Sequence, residues 1–192
     1  ENLLKDNFNI KDLGQAAWVL GISVDIDRDK GIIQLGQTKY IEDMLQRYGL
    51  TECKEVCTPM AIGRVDDNSI YLDESEMQLY RSIIGSLMYI TVCTRPDIAF
   101  PVSNLSKYMN RPQVQHLTAA KRILQYLKGT KHMGLEFSGG GIDPALIGYS
   151  DADWAGDNTT RKSTSGYVFS WNNCLISWKS ALQTTVALST AE

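Results

Sequence analysis

The residues best suited to chemistry lie near the end of the chain, in two blocks that predict adjacent strands. The first block, from Ile147 to Asp157, begins with apolar residues and then turns acidic. We interpret it as a buried strand that delivers the carboxylate of Asp151 to its exit. The second block, from Arg161 to Phe169, predicts a basic polar loop and a strand that returns beside the first. Asp151 would thus be presented at the end of a strand, where a carboxylate can reach a ligand.

The chain before these blocks predicts a hairpin followed by helices. Strand-forming residues on either side of a turn indicate a β-hairpin from Ala17 to Leu35. Residues up to about Phe8 resemble the end of a helix, and an irregular connector is expected over 51–73. Helical periodicity predicts helices over 38–48, from about 75, over 97–109 and over 112–129. Gly85 and Ser86 would let another helix approach the second of these closely.

After residue 140 the apolar residues change from a helical period to a strand period. Three consecutive glycines from Gly139 to Gly141 are the clearest linker signal. Strands are predicted near residues 145–150, 166–170, 174–178 and 185–188. We therefore predict an α+β chain, with a hairpin and helices in residues 1–140 and a sheet of mixed strand directions in residues 141–192.

Composition bounds the class of protein. The chain has 192 residues, 43% of them hydrophobic and 21% charged, with a net charge of −3. No apolar run approaches the roughly 20 residues that cross a bilayer, so neither disorder nor membrane insertion is indicated. Four cysteines and two histidines show no zinc-site spacing. Free thiols in a reducing compartment are expected, with a bridge between Cys53 and Cys57 as the alternative.

Charge is unevenly distributed along the chain. No Asp or Glu occurs between Ile98 and Leu135. The basic residues of this stretch are Lys107, Arg111, Lys121, Arg122, Lys128 and Lys131. A local excess of positive charge favours contact with a nucleic-acid backbone, although surface Lys and Arg are also the usual solvated face of a helix.

Short motifs in a fixed order carry a resemblance over nearly the whole chain. These are Lys11-Asp12-Leu13-Gly14, Leu20-Gly21-Ile22, Cys57-Thr58-Pro59-Met60, Tyr80 to Tyr89, Thr94 to Ile98, Tyr126 to Thr130 and the block around Asp151. Together they resemble the polyprotein of copia-type retrotransposons, from the end of the reverse-transcriptase palm into the ribonuclease H domain. The resemblance implies a thumb or connection region followed by a truncated ribonuclease H-like mixed α/β sheet.

The resemblance also implies where catalysis is incomplete. The family's polymerase site is a tyrosine-x-Asp-Asp turn, which does not occur in this sequence. The Asp66-Asp67 doublet follows Arg64-Val65 in the irregular connector, so we reject it as that turn. Polymerisation by this chain alone is not expected, because nucleotide addition needs carboxylates that hold paired magnesium ions.

By resemblance, the hairpin matches the primer grip of reverse transcriptases. Trp18, Leu20 and Gly21 occupy matching positions, and a glycine lets the backbone approach a phosphate closely. The alternative is that Trp18 and Leu20 are core residues of an amphipathic hairpin. In the helical region Lys107, Arg111, Lys121 and Arg122 would lie along the duplex backbone.

Asp151 matches the first of the four ribonuclease H carboxylates, which hold two Mg²⁺ ions. Asp153 is either an outer group or the start of a loop, the reading we prefer, and Asp157 is expected in a solvated turn. The second ligand is either Glu192 or a glutamate beyond it. Arg161 and Lys162 either contact the hybrid backbone or belong to a flexible basic loop.

The predicted function is that of a fragment of a retrotransposon reverse transcriptase and ribonuclease H. It would bind an RNA:DNA hybrid or primer-template duplex, associate with the rest of the Pol polyprotein and need Mg²⁺ only in the intact parent. The resemblance implies a cytoplasmic or nuclear location without a membrane, within a virus-like particle in the parent element. The alternatives are a non-catalytic nucleic-acid-binding module and a decayed genomic copy.

Overall fold

The computed structural model describes residues 8–9, 14–61, 70–139, 145–157, 159–172 and 174–189. Within these residues the chain forms two antiparallel sheets and four α-helices, which confirms the α+β class. Several predicted features lie outside the described residues. They are the helix end before Phe8, the Asp66-Asp67 doublet, Gly140 and Gly141 of the predicted linker, and the acidic residue Glu192.

The first sheet has four antiparallel strands in the order β1-β2-β3-β4. β1 (Trp18–Val19), β2 (Ile22–Asp27) and β3 (Ile32–Gly36) follow one another, which confirms the predicted hairpin. The turn between β2 and β3 is closed by the Asp27 carboxylate, which accepts a hydrogen bond from the backbone N–H of Lys30. β4 (Leu135–Ser138) was not predicted. It follows the four helices in the sequence and returns to pair with β3.

The four helices lie between β3 and β4 along the chain. They are α1 (Thr38–Arg47), α2 (Glu74–Cys93), α3 (Ala99–Ser106) and α4 (Val114–Gly129). α2 begins with a capping box in which the Asp73 carboxylate accepts from the N–H of Glu76 and the Glu76 carboxylate accepts from the N–H of Asp73. This reciprocal cap explains why the irregular connector ends at Asp73.

Two helix predictions need correction. The helix expected over 97–109 is a 3₁₀ turn at Pro96–Ile98 followed by the shorter α3, since proline fixes φ and removes a backbone donor at this junction. The close helix approach expected at Gly85 is wrong, because a Cβ there would meet nothing within 4 Å. Ser86 does contact another element, sharing a hydrogen bond of 2.9 Å with the hydroxyl of Tyr48.

One apolar core lies between the helices. Its fully buried aliphatic members are Ile41, Ile83, Ile84, Leu87, Ile90, Ile98, Ala120, Ile123, Leu124 and Leu127. Tyr80 is also fully buried, and its hydroxyl donates a hydrogen bond of 2.6 Å to the backbone carbonyl of Leu105 on α3. The phenol is thereby satisfied while its ring fills the core, so α2 and α3 are held together by both packing and a polar contact.

A buried polar network closes one end of the helical layer. Arg95 is only 1% exposed, and its guanidinium donates to both carboxylate oxygens of Asp97 at 2.9 and 2.7 Å. It also donates to the backbone carbonyl of Thr130 at 2.9 Å and to the Thr130 hydroxyl at 2.7 Å. The hydroxyl of Tyr126 donates to Asp97 at 2.8 Å. The network therefore ties the end of α2 to the end of α4.

The second sheet is antiparallel and has the order β5-β6-β7. β5 (Leu146–Ala152) pairs antiparallel with β6 (Thr164–Trp171), and β6 pairs antiparallel with β7 (Cys174–Leu182). The mixed strand directions predicted after residue 140 are thus wrong for the described residues.

Two further strand predictions differ from the structure. β5 was predicted to be buried, but all seven of its residues are exposed, because it is an edge strand with little packed against it. The strand predicted near 185–188 is absent, and those residues form bends and irregular backbone after β7. The last strand of the sheet, β7, ends at Leu182, before the predicted strand would begin.

The helical layer holds the second sheet in place. The indole N–H of Trp178 in β7 donates a hydrogen bond of 2.8 Å to the backbone carbonyl of Thr91 in α2. The Lys107 ammonium, just after α3, forms an ion pair of 3.0 Å with Asp157 in the loop that follows β5. These two contacts fix the strand that carries Asp151 relative to the helices. A division into domains at residue 140 stays a prediction.

Two further observations concern the cysteines and the possibility of a membrane-spanning helix. Cys53, Cys57, Cys93 and Cys174 are free thiols, so the alternative bridge between Cys53 and Cys57 is not formed. In the part of the chain that the structure describes, no helix combines the length and apolarity needed to span a membrane.

Candidate nucleic-acid interface

Asp151 lies one residue from the end of β5, with its side chain exposed. It stands opposite Gly166 of β6, which stands opposite Ser180 of β7, so no large neighbour covers the carboxylate from the adjacent strand. One carboxylate oxygen accepts a hydrogen bond of 2.8 Å from the N–H of Ala152. The predicted delivery of this carboxylate to a strand exit is therefore what the structure shows, although the strand itself is exposed.

Asp151 borders two clefts. One, of about 690 Å³, lies between the second sheet and the start of α3, where Pro96 and Phe100 form the opposite wall. The other, of about 550 Å³, lies against the loop between β5 and β6 and is lined by Trp154 and several serines. A ligand held in either cleft would lie next to the free carboxylate oxygen of Asp151.

Asp153 belongs to the loop, as preferred from the sequence. Its carboxylate accepts a hydrogen bond of 2.7 Å from the N–H of Thr164, and its own N–H donates to the carbonyl of Thr164 at 3.1 Å. Asp153 thus closes the base of the loop. Among the described residues, no group of three or more His, Cys, Asp or Glu side chains is placed to hold a metal ion.

Asp157 lies in a turn whose neighbouring residues Gly156, Thr159 and Thr160 are exposed, but the carboxylate of Asp157 itself is largely covered. The Asp157 side chain is 10% exposed, and it accepts hydrogen bonds from the backbone N–H groups of Thr159 and Thr160 as well as the ion pair with Lys107. Burial alone would raise the pKa of Asp157, but the Thr160 N–H and the Lys107 ammonium lower it to about 2. The sequence could not show this, because Lys107 lies far away along the chain.

This arrangement predicts a specific acid sensitivity. A carboxylate whose pKa is about 2 in the folded chain and near 3.8 when unfolded stabilises the fold above pH 4, by about 2 kcal/mol. That contribution is lost as the pH falls through 3.8 toward 2. Urea unfolding of Asp157→Asn should therefore show lower stability than wild type at pH 7, and the two should converge near pH 2. A difference in stability between wild type and Asp157→Asn that stays constant with pH would contradict this prediction.

The side chains of Arg161 and Lys162, in the same loop as Asp157, have no partner among the described residues. The loop backbone is fixed, since the N–H of Arg161 donates to the carbonyl of Asp157 at 2.8 Å and the N–H of Asp157 donates to the carbonyl of Lys162 at 3.1 Å. Within the described residues, neither basic side chain makes a hydrogen bond or an ion pair. Both cations therefore lack a partner among the described residues, and the backbone at both positions is held by hydrogen bonds to Asp157.

Most cations of the acid-free stretch have partners inside the molecule. Lys107 pairs with Asp157, Arg111 lies over the ring of Tyr71 at 4.0 Å, and Arg122 donates to the hydroxyl of Thr58 at 2.9 Å. Lys128 likewise donates to the carbonyl of Cys53, and Lys131 pairs with Glu42. Lys121 is half-buried, and it makes no such contact with the described residues. The excess positive charge is thus partly used in holding the helices and loops together.

The tip of the first hairpin is exposed. Trp18 is 55% exposed and Leu20 is 84% exposed, so the alternative that they are core residues is wrong. Leu20 and Gly21 both have positive φ, at 52° and 78°, as a two-residue hairpin turn of the primed type requires. The hydroxyl of Tyr89 in α2 donates a hydrogen bond to the carbonyl of Leu20, which holds the tip against the helices.

Sequence reasoning missed two residues of this interface. Tyr89 was seen only as part of a motif, and nothing in its helical spacing indicates a hydrogen bond to a hairpin tip. Trp154 was seen only as part of the block around Asp151, although a tryptophan in an acidic and glycine-containing loop is a signal that could have found it.

Comparison with known proteins places these residues in a broader context. A sequence profile described as "Reverse transcriptase (RNA-dependent DNA polymerase)" matches residues 1–62. The chain is 43% identical, over 98% of its length, to the "Retrovirus-related Pol polyprotein from transposon TNT 1-94" of Nicotiana tabacum, and covers 14% of that protein. It is 40% identical over 98% of its length to the corresponding polyprotein from transposon RE1 of Arabidopsis thaliana, and covers 13% of it.

A third relative is shorter. The "Secreted RxLR effector protein 161" of Plasmopara viticola is 50% identical over 59% of this chain, which covers 79% of that protein. No solved structure matches the chain. The chain thus corresponds to about one seventh of the Pol polyproteins that it matches over nearly its whole length.

Proposed function

Since the chain belongs to the family of reverse-transcriptase-related Pol polyproteins of copia-type retrotransposons, we propose that it is a nucleic-acid-holding segment that runs from the end of the reverse transcriptase into the start of ribonuclease H. Its substrate would be an RNA:DNA hybrid or a primer-template duplex. Its partner would be the remainder of the Pol polyprotein. The first 62 residues match the reverse-transcriptase profile and contain the hairpin, which supports a contact with the primer strand.

The observation that carries the proposal is the exposed carboxylate of Asp151 at the end of β5, a strand that leads into a loop with two cations without internal partners. The carboxylate suits chemistry at a phosphodiester bond, and Arg161 and Lys162, in the loop between β5 and β6, would attract the phosphates of the same backbone. An acidic residue alone would repel a phosphate. The combination of a carboxylate and two cations is therefore a more specific indication of phosphodiester binding than either kind of charge alone.

Mg²⁺ fits this site only in part. The free oxygen of Asp151 is the type of donor that Mg²⁺ prefers. Cleavage with two metal ions needs several carboxylates, and Asp153 already accepts a hydrogen bond from the backbone of Thr164. We propose that the other ligands come from parts of the Pol polyprotein outside the described residues, so that this chain contributes the first carboxylate and is catalytically incomplete alone.

Binding of a short RNA:DNA hybrid tests the proposal. If Lys121, Arg161 and Lys162 each contact a phosphate, the plot of log affinity against log salt should have a slope of about −3. The affinity would then fall about 40-fold between roughly 50 and 200 mM salt. Fluorescence anisotropy with a labelled hybrid measures both quantities.

Matched variants make the test specific. Arg161→Ala and Lys162→Ala should each make the slope shallower by about one. Lys39→Ala removes an exposed lysine on α1 that pairs with Asp43, and it should leave the slope unchanged. Affinity that does not respond to salt would refute hybrid binding through these cations. With Mg²⁺ added, hybrid cleavage that Asp151→Asn abolishes would refute the incompleteness of the site.

A further inference from the structure

The loop between β5 and β6 holds one tryptophan in solvent on an ordered backbone. Asp153 binds the N–H of Thr164 at the base of the loop, and the N–H of Ala155 donates to the hydroxyl of Ser163 at 3.1 Å. Ala155, with a φ of 52°, is only 7% exposed, while its neighbour Trp154 is 54% exposed. The turn therefore anchors itself through Ala155 and directs Trp154 outward.

Trp154 lines the same cleft as Asp151. The other lining side chains are mostly hydroxyls, from Ser150, Ser163, Ser165 and Ser189. The ring is thus next to polar groups and a carboxylate, where it has few apolar neighbours to pack against. An exposed indole adds little to the stability of the fold in this environment, whereas it offers a flat face to a ligand.

We propose that Trp154 is a nucleic-acid contact, whose indole ring stacks on an unpaired nucleotide of the strand held beside Asp151. Stacking on an aromatic ring tolerates any base, because every base has a π face, and it complements cations that hold the backbone. Arg161 and Lys162 lie in the same loop and supply those cations. The loop therefore combines a stacking surface with phosphate-binding charge. This inference rests on the proposed function and adds a residue that determines affinity.

Hybrid binding by alanine and phenylalanine variants tests the role of the ring. Trp154→Ala should weaken the binding of a labelled RNA:DNA hybrid with a single-stranded overhang by about 5- to 150-fold, as expected for the loss of one base–aromatic stack. Trp154→Phe should recover most of the affinity. The slope of log affinity against log salt should be the same in both variants as in wild type, because no phosphate contact is removed. A smaller folded fraction would also lower the apparent affinity without changing the slope, so the thermal unfolding of each variant is compared with that of wild type.

Trp171 provides the matched control. It is 45% exposed and lies in the same sheet, at the opposite end of β6 from the loop. Trp171→Ala should bind the hybrid within about 2-fold of wild type, since no base is expected to stack on a ring at that end of the sheet. Equal losses in the Trp154→Ala and Trp171→Ala variants would overturn the proposal, as would a Trp154→Ala affinity within about 2-fold of wild type.

The outcomes separate this inference from the proposed function. Salt-sensitive hybrid binding by wild type that Trp154→Ala does not change would refute the stacking role and leave the proposed function standing. Wild-type chain that binds no hybrid at low salt would refute the proposed function itself. If Trp154→Ala shows no thermal unfolding transition, Trp154→Phe decides the question by tryptophan emission. Hybrid should quench the emission of wild type, and quenching that persists in Trp154→Phe would overturn the proposal.

Discussion

Replacing Arg95 with alanine should lower the free energy of unfolding by about 3–5 kcal/mol. The guanidinium makes four hydrogen bonds to Asp97 and Thr130, and its side chain is 2% exposed. Removing it leaves the Asp97 carboxylate partly buried without its counter-charge. Burial raises the pKa of Asp97, but the Arg95 contacts and the Tyr126 hydroxyl hold it below its ordinary value. Urea denaturation followed by circular dichroism measures the loss.

Two other arginine substitutions serve as comparisons for the loss of stability in Arg95→Ala. Arg95→Lys should recover only part of the stability, because an ammonium cannot reproduce the fork that binds both oxygens of Asp97. Arg47→Ala removes an exposed arginine from the last turn of α1, and it should change stability by no more than about 0.5 kcal/mol. A loss below about 1 kcal/mol for Arg95→Ala would mean that the network is not structural.

The Arg95 network also explains why two separate motifs occur together in this chain. Arg95 and Asp97 belong to one motif, and Tyr126 and Thr130 belong to another, about thirty residues later in the sequence. Their side chains meet in a buried cluster that joins α2 to α4. These motifs, which carry much of the resemblance, therefore stabilise the fold, and Pro96 of the first motif also lines a cleft that Asp151 borders.

A glycine at the edge of the first sheet carries the second large effect. A Cβ on Gly134 would overlap the backbone carbonyl oxygen of Leu35 and lie 3.1 Å from its carbonyl carbon. Since backbone cannot move aside as a flexible side chain can, Gly134→Ala should push β4 away from β3 and disturb the pairing of Leu35 with Leu135. We expect a loss of about 1–3 kcal/mol in the free energy of unfolding, measured by thermal and urea denaturation.

A glycine-to-alanine substitution at Gly85 should raise the free energy of unfolding, whereas the one at Gly134 should lower it. Gly85 lies inside α2 with open space around it, so Gly85→Ala should stabilise the chain by about 0.5–1 kcal/mol through helix propensity. The pair of variants separates steric overlap from the general effect of adding a methyl group. Gly134→Ala that matches or exceeds wild-type stability would show that β4 can pair with β3 at a greater separation.

Local patterns in the sequence predicted much of the fold and one part of the site. The hairpin between β2 and β3 follows from turn-forming residues between strand-forming ones, and the helices follow from apolar periodicity and end signals. The strand that carries Asp151 was found in the same way. Each of these features depends on residues that are close together in the sequence, so their pattern is visible without the structure.

The sequence by itself determined the α+β class, the family and the placement of Asp151 near a strand end. Only the tertiary structure decided that β4 returns to β3, that Arg95 is buried against Thr130, and that Lys107 is neutralised by Asp157. It also decided that β5 is exposed and that Trp154 faces a cleft. The physical reason is that pairing, burial and charge compensation depend on contacts between residues distant in the chain, which no local periodicity records.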